Sequence, residues 1–538
     1  MVGNGVIFRQ QQKKHSPNAQ KNMENTTKNI LIATMLAMTT ACTQPTAEHH
    51  PQFEPTQTSL REYDCPEWFR DAKFGIWAHW GPQSVPMQGD WYARAMYEPH
   101  NNRPYKKDIY EYHVKNYGHP SEFGYKDIIP LWKAEKFDPE SLMKLYKRAG
   151  AKYFVSMGVH HDNFDLWDSK YNRWNAADMG PKRDIVKAWA DAAKAEGLYF
   201  GVSEHLSAAY DWWQANKAAD TEGDKAGVPY DGADPKNWDL YFDKKHDNKH
   251  EWTPNNGMFA QLWYARMSDL IQNYEFDILY TDGALPFGDY GMMMLSDFYN
   301  KNLADNRGTL DAVYLAKPGR HNKGWATFDG EMCVEDRERG GLTNISKTPW
   351  QTDTSIGDWF YNENYVNKDS GTMYRTPFWV LTTLIDIVSK NGNMLLNVLQ
   401  RPDGTIDAEV VDLLNTIGEW FDVNGEAIFA SRPWTVFGEG PQLRGDKADW
   451  QEDFTYTPND IRYTQDKKGQ TVYAATMGIP TEDIRMKEIG RIAQHVKSVA
   501  LIGSDQKLNW KVDSEGLSIA LPNLDDCNTL PVFKISLK

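Results

Sequence analysis

Between about residues 62 and 430, short apolar runs alternate with longer segments of helical periodicity. That alternation limits the chain to folds built from successive βα units. In the clearest unit, Pro139 to Gly150 sets Leu142, Met143, Leu145 and Tyr146 on one helical side, and Tyr153 to Met157 follows as a strand. The next helix begins near Asp184 and carries Ile185, Val186, Trp189 and Ala192 at helical spacing. It ends at Gly197, where a residue without Cβ takes up the left-handed C-cap conformation. Leu198 to Val202 is then a buried strand with Ser203, Glu204 and His205 at its C-terminal end. A third unit leads from a helix over Met258 to Tyr274 into the strand Phe276 to Tyr280, which runs out into Thr281, Asp282 and Gly283. A fourth pairs a helix over Phe378 to Ser389 with the strand Met394 to Val398. Polar residues gather at the strand C-termini, so the pattern predicts an α/β fold with a (β/α)8-like barrel. An open doubly wound sheet is the alternative, but the chain carries no Gly-rich dinucleotide fingerprint to support it.

The texture changes after Pro433. Ile461 to Thr464, Thr471 to Ala475, Val499 to Ile502, Leu517 to Leu521 and Val532 to Leu537 are short, β-rich and separated by turn residues, the pattern of an antiparallel β-sandwich. At the other end, Lys28 precedes an apolar run from Ile30 to Met38 that is too short to span a bilayer and has the length of a signal-peptide core. Thr39, Thr40 and Ala41 precede Cys42 as in a bacterial lipoprotein cleavage box, with Thr39 in place of the usual aliphatic residue. An ordinary secretory signal cleaved nearby is the rival reading, and Met23 would start a leader of normal length. The expected organisation is therefore a leader over 1–41, a linker over 42–60, the barrel over 61–432 and the sandwich over 433–538. The leader implies export to the periplasm or outer membrane, with membrane contact only through a lipid on Cys42. Without Cys42, the cysteines Cys65, Cys333 and Cys527 are an odd set and define no disulfide framework. A formal charge of -15 argues against a nucleic-acid partner, because phosphate binding needs basic residues not offset by excess acid.

The strand ends carry the chemistry. After Tyr153 to Met157 the chain reads Val159-His160-His161-Asp162-Asn163-Phe164-Asp165-Leu166-Trp167, which brings ring nitrogens, charge and flat apolar faces together as in the wall of a sugar site. Neighbouring residues on a strand face opposite ways, so both imidazoles reach one pocket only where the backbone turns. No HExxH and no spaced Cys/His set accompanies the pair, so the residues themselves argue against a metal. The 21 Trp and 27 Tyr residues suit stacking against sugar faces. Glycosidic hydrolysis requires two carboxyl groups, one at the anomeric carbon and one that protonates the leaving oxygen. Asp282 at its strand end is the candidate for the first. The charge-dense segment Glu331 to Gly340, read as a loop, offers several carboxylates among arginines for the second.

A family resemblance rests on ordered motifs. Trp68 to Gly81 with Ser84-Val85-Pro86, then Asp90-Trp91-Tyr92 with Met96-Tyr97, look like the opening motifs of the α-L-fucosidases of glycoside hydrolase family 29. The histidine motif ending Leu166-Trp167-Asp168-Ser169-Lys170, the Asp282 strand, Gly392 to Asn397 with Pro402-Asp403-Gly404, and Asn424 to Ile428 are similar to later family motifs in the same order. The resemblance implies a retaining mechanism through a covalent glycosyl-aspartate, with Asp282 as nucleophile and no metal or organic cofactor. It puts His79, Trp91, His160 and His161 around the sugar and Tyr280 two residues before the nucleophile, with Trp91 and Tyr280 as an apolar wall for C6. Aligning the variable loop favours Asp336 as acid/base, counting back from Trp350 favours Glu338, and Glu335 is the third choice. The family has a Trp-Glu pair where this chain has Trp350-Gln351, a departure that removes one carboxyl.

The expected activity is exo-hydrolysis of terminal α-L-fucosidic bonds in a fucosylated oligosaccharide or glycoconjugate. An α-L-galactosidase on the same fold is the near rival, and a catalytically inactive glycan-binding surface protein is the rival from another class.

Overall fold

The computed structural model describes residues 52–99, 108–245, 257–318, 326–367, 370–443, 455–524 and 529–538. The leader and Cys42 lie outside the described residues, as does 246–252 of the loop that runs from Trp212 to Trp252. Eight parallel strands close into a barrel: β1 (Phe74–Ala78), β2 (Tyr153–Val159), β3 (Tyr199–Glu204), β4 (Ile278–Thr281), β5 (Val313–Ala316), β6 (Val334–Glu338), β7 (Trp350–Ser355) and β8 (Gly392–Asn397). Strand β8 pairs with β1 in register Met394 to Phe74 and completes the ring. The barrel interior leaves little slack. A Cβ on Gly75 would sit 2.2 Å from the ring of Tyr153, so the lumen holds that tyrosine because β1 gives it a glycine opposite.

Helices α1 (Pro139–Arg148), α2 (Ile185–Glu196), α3 (Gly257–Asn273), α4 (Asp289–Asp305), α5 (Pro377–Ser389) and α6 (Ala408–Asn424) cover the outside. Their ends follow local chemistry. The Asp138 and Asp184 carboxylates accept from the backbone N–H groups of Ser141 and Lys187, and Gly197 ends α2 at φ 69°. Helix α5 is buried on nearly every face, because the barrel lies on one side and the C-terminal sheets on the other.

The C-terminal region comprises β9 (Arg432–Glu439), β10 (Ile461–Gln465), β11 (Thr471–Thr476), β12 (Ile484–Met486), β13 (Val496–Leu501), β14 (Trp510–Asp513), β15 (Gly516–Ile519) and β16 (Val532–Leu537). They form an antiparallel sheet β9-β10-β11-β16-β13 and a smaller one β12-β15-β14, closed over one apolar core. The sandwich packs tightly on the barrel: the Trp420 indole donates to the Leu530 carbonyl, and Arg462 and Lys390 both bind the buried Asp386 carboxylate at 2.6 and 2.8 Å.

Two expectations change. Residues 53–60 do not trail as a linker; Phe53 packs on Tyr299 and is bonded to Asn300, and Leu60 is buried. The segment around Asp336 is not a loop but strand β6 of the barrel. Its apolar content is low because two of its inward positions, Asp336 and Glu338, are carboxylates, which hides it from a reading by hydrophobic pattern.

Candidate active site

Every element of the site converges on the C-terminal mouth of the barrel. Asp282 follows β4, its N–H bound to the Glu204 carbonyl at the end of β3, and Gly283 at φ 137° makes the turn that leaves the carboxylate facing the opening. Its side chain is 24% exposed. One oxygen accepts from Lys317 Nζ at 2.7 Å; the other lies 3.4 Å from His161 Nε2 and 3.3 Å from His205 Nδ1. Burial works against the charge, but the Lys317 ammonium and the two imidazoles hold this carboxyl well below its ordinary value.

Strand β2 ends at Val159, and the chain turns at once: Asn163, at φ 63°, donates its N–H to the His160 carbonyl. The turn lets both imidazoles enter one pocket, with ring centroids 4.6 Å apart. The Gln83 amide donates to His160 Nδ1 at 2.9 Å, and His161 Nδ1 donates to the His205 carbonyl at 2.6 Å. His79, at the end of β1, is held by the Asn397 amide oxygen, which accepts from its backbone N–H at 2.9 Å and faces Nδ1 at 3.3 Å. Burial, reinforced by neighbouring imidazoles, keeps His79 and His160 neutral well below the ordinary histidine value, and burial lowers His205 as well. Neutral rings with one nitrogen committed to the protein leave the other for a hydroxyl.

His79, His160 and His205, or His161, His205 and Asp282, have ligand atoms within 4.8 Å of one another and could hold a metal by spacing alone. Sugar hydroxyls fit the same spacing, and Lys317 already brings a cation to Asp282.

The acid/base candidates occupy three different environments. Glu335 points out of the barrel and pairs with Arg337. Asp336 points inward but has no exposed surface: Gln351 Nε2 donates to it at 2.8 Å from β7, and burial, with the Asp353 charge, raises it well above an ordinary carboxyl. Glu338, two residues further along the same inward face, reaches the mouth, with its side chain 49% exposed and 3.1 Å from the same Lys317 ammonium. Asp336, the first choice from sequence, therefore lies in the lumen without exposed surface, whereas Glu338 stands at the mouth. Gln351 lies in the lumen as well, where it bridges Tyr153 and Asp336.

Trp91 stands at the rim at φ 61°, its ring 5.9 Å from His161 and 6.1 Å from Trp212. Tyr280 departs from expectation: it is fully buried under the site, donates to Asp353 at 3.1 Å and offers no surface to C6. Residues not singled out from sequence complete the site: His205; Lys317, whose N–H is fixed to the Gly283 carbonyl; and the aromatics Trp359 and Phe360, which lie 4.9 and 5.8 Å from His79. His205 lay at a recognised strand end, whereas Lys317 follows a four-residue strand with no distinguishing pattern.

A barrel with carboxylates gathered at its C-terminal mouth is an arrangement suited to glycoside hydrolysis. The family model described as alpha-L-fucosidase matches residues 40–426, and that described as the alpha-L-fucosidase C-terminal domain matches 451–536. A tissue alpha-L-fucosidase of Bos taurus is 27% identical over 496 residues, covering 90% of this chain and 89% of that protein. A plasma alpha-L-fucosidase of Homo sapiens is 28% identical over 494 residues, covering 88% and 89%. The crystal structure of a Thermotoga maritima alpha-fucosidase in complex with a mechanism-based inhibitor is 26% identical, covers 90% of this chain and all of that one, and superposes with a TM-score of 0.68. The chain belongs to the α-L-fucosidase family.

Proposed function

We propose that this chain hydrolyses terminal α-L-fucosidic bonds with retention, using Asp282 as nucleophile and Glu338 as acid/base. The observation that carries the assignment is the shared cation. One ammonium bonded to both carboxylates keeps their oxygens within about 6 Å of each other, the range of retaining glycosidases and short of the ~6.5–9.5 Å that inversion needs. In the first step Asp282 attacks the anomeric carbon, and the glycosidic C–O bond breaks as Glu338 delivers its proton to the leaving oxygen. In the second, Glu338 takes a proton from water, which attacks the same carbon and releases Asp282. The imidazoles of His79, His160 and His161 take the sugar hydroxyls, and Trp91 borders the ring. The intact carboxylate pair speaks against an inactive binding protein, and family membership favours fucose over L-galactose.

Asp282→Asn should abolish turnover of an aryl α-L-fucoside while the circular dichroism spectrum stays native; full activity would sink the assignment. Glu338→Gln should lower kcat most for substrates with poor leaving groups, whereas a loss confined to Asp336→Gln would restore the sequence-based choice. The motif around Cys42 supports export with a lipid on that cysteine. Radiolabelled fatty acid should enter the wild-type chain and not Cys42→Ala; equal labelling of the two would refute it.

A further inference from the structure

Beneath the two catalytic carboxylates lie two more, with no part in the steps above. Asp336 on β6 and Asp353 on β7 project into the lumen and are fully buried. The outer oxygens are well supplied: Gln351 donates to Asp336 Oδ1 at 2.8 Å, and Asp353 Oδ2 receives Tyr280 at 3.1 Å and lies 3.4 Å from Lys317 Nζ. The other two, Asp336 Oδ2 and Asp353 Oδ1, are buried and receive no donor, and the two side chains stand on adjacent paired strands, close enough for the Asp353 charge to act on Asp336. Two orphaned acceptors on neighbouring strands of a buried lumen are satisfied by a proton held between them, since two carboxylates sharing one buried site do not both ionise.

We propose that Asp353 and Asp336 share one proton and act as a positioning pair, whose single negative charge anchors Lys317 from below between Asp282 and Glu338. The ammonium draws the charge to Asp353 and leaves the proton on Asp336. This inference deepens the hydrolase reading and rests on it for its kinetic consequence. As the glycosyl ester forms, negative charge leaves Asp282 and appears on Glu338. Lys317 touches both and must stay in place while the charge crosses, and Asp353 is the contact that does not change. The groups facing the pair are few: β4 brings Tyr280 and Asp282, β5 leads to Lys317, β6 brings Glu338 and β2 brings Tyr153. Strands β1 and β8 bring no charged side chain, and β3 turns Glu204 outward to Trp263.

Two measurements test the pair. Infrared difference spectra of the folded enzyme at neutral pH, with [13C]aspartate labelling, should show a protonated-carboxyl stretch that Asp336→Asn and Asp353→Asn both remove and Asp282→Asn keeps. In the pH profile of kcat/KM, Asp353→Asn should move the alkaline limb to lower pH by about one unit, because the Lys317 charge then stands uncompensated beside the group that must carry a proton. Asp336→Asn should move it less, since its amide donates to Asp353 and preserves the charge there. An infrared spectrum indifferent to both substitutions overturns the shared proton, even if the enzyme turns over no fucoside. An unmoved limb in folded Asp353→Asn overturns the anchoring role, and if that variant does not fold, the infrared comparison of wild type with Asp336→Asn decides.

Discussion

The barrel lumen and the sandwich core are both densely packed, but opposite chemistries fill them. In the sandwich, Ile461, Val472, Ile484, Leu517, Phe533 and Ile535 meet across two sheets, and the buried Tyr463 sends its hydroxyl out to Glu439. In the lumen, a line of polar and charged side chains runs from Tyr153 through Gln351, Asp336 and Asp353 to Lys317 and Asp282. Barrel interiors are commonly filled by branched apolar side chains, and a buried ion pair seldom stabilises more than the apolar residues that could replace it. The difference teaches that the sandwich interior holds the fold together, while the lumen spends packing on holding charges in place under the reacting bond.

The sharpest way to break that contrast is Lys317→Met, which keeps the volume and removes the charge. Without the cation, two carboxylates at the mouth repel each other and Asp282 loses its strongest partner. The expected loss in kcat/KM is about 10²–10³-fold, typical of removing one preorganised electrostatic contact, with Lys317→Arg recovering part of it. A Lys317→Met enzyme within a few-fold of wild type would mean that the lumen charges are structural, like the sandwich core.

Much of this architecture was legible in the chain, for physical reasons that also mark where legibility ended. Strand β2 and helix α2 announce themselves because an apolar stripe and a capping Asp or Gly are local properties. Asp282 stood out because an apolar strand delivers it to a glycine turn. Strand β6 did not, because its inward face carries Asp336 and Glu338, and inward carboxylates imitate a solvated loop. The choice between those two was closed to sequence as well: they share a strand face, and only depth in the barrel, with Glu338 at the last residue of β6 and Asp336 two residues below it, separates a lumen carboxyl from one at the mouth. Tyr280 failed for the same reason, its position two residues before the nucleophile placing it below the site. Lys317 lies 35 residues beyond Asp282 and meets it only through barrel closure.

Removing the same oxygen atom from each interior sharpens the contrast further. Tyr280→Phe deletes a donor to Asp353 and should lower kcat/KM about tenfold, equivalent to one hydrogen bond to a charged group at ~1.5 kcal/mol. Burial, with the Asp353 charge, holds the Tyr280 hydroxyl well above its ordinary value, so it stays a donor throughout the working range.

Tyr463→Phe is the counterpart and the smallest effect. Its hydroxyl donates to Glu439 at 2.9 Å, and that carboxylate also accepts the backbone N–H groups of Lys487 and Glu488 at 2.8 and 3.0 Å. Glu439 thus keeps two donors when the tyrosine oxygen is lost, and the phenyl ring still fills the core. Stability should fall by only about 1 kcal/mol, read as a lower denaturation midpoint with an unchanged slope, while kcat/KM stays at the wild-type value. Because Tyr463 is also held protonated by burial, the loss should be the same at pH 6 and pH 8. A change in kcat/KM here, or none in Tyr280→Phe, would mean that the two interiors are not divided between structure and chemistry.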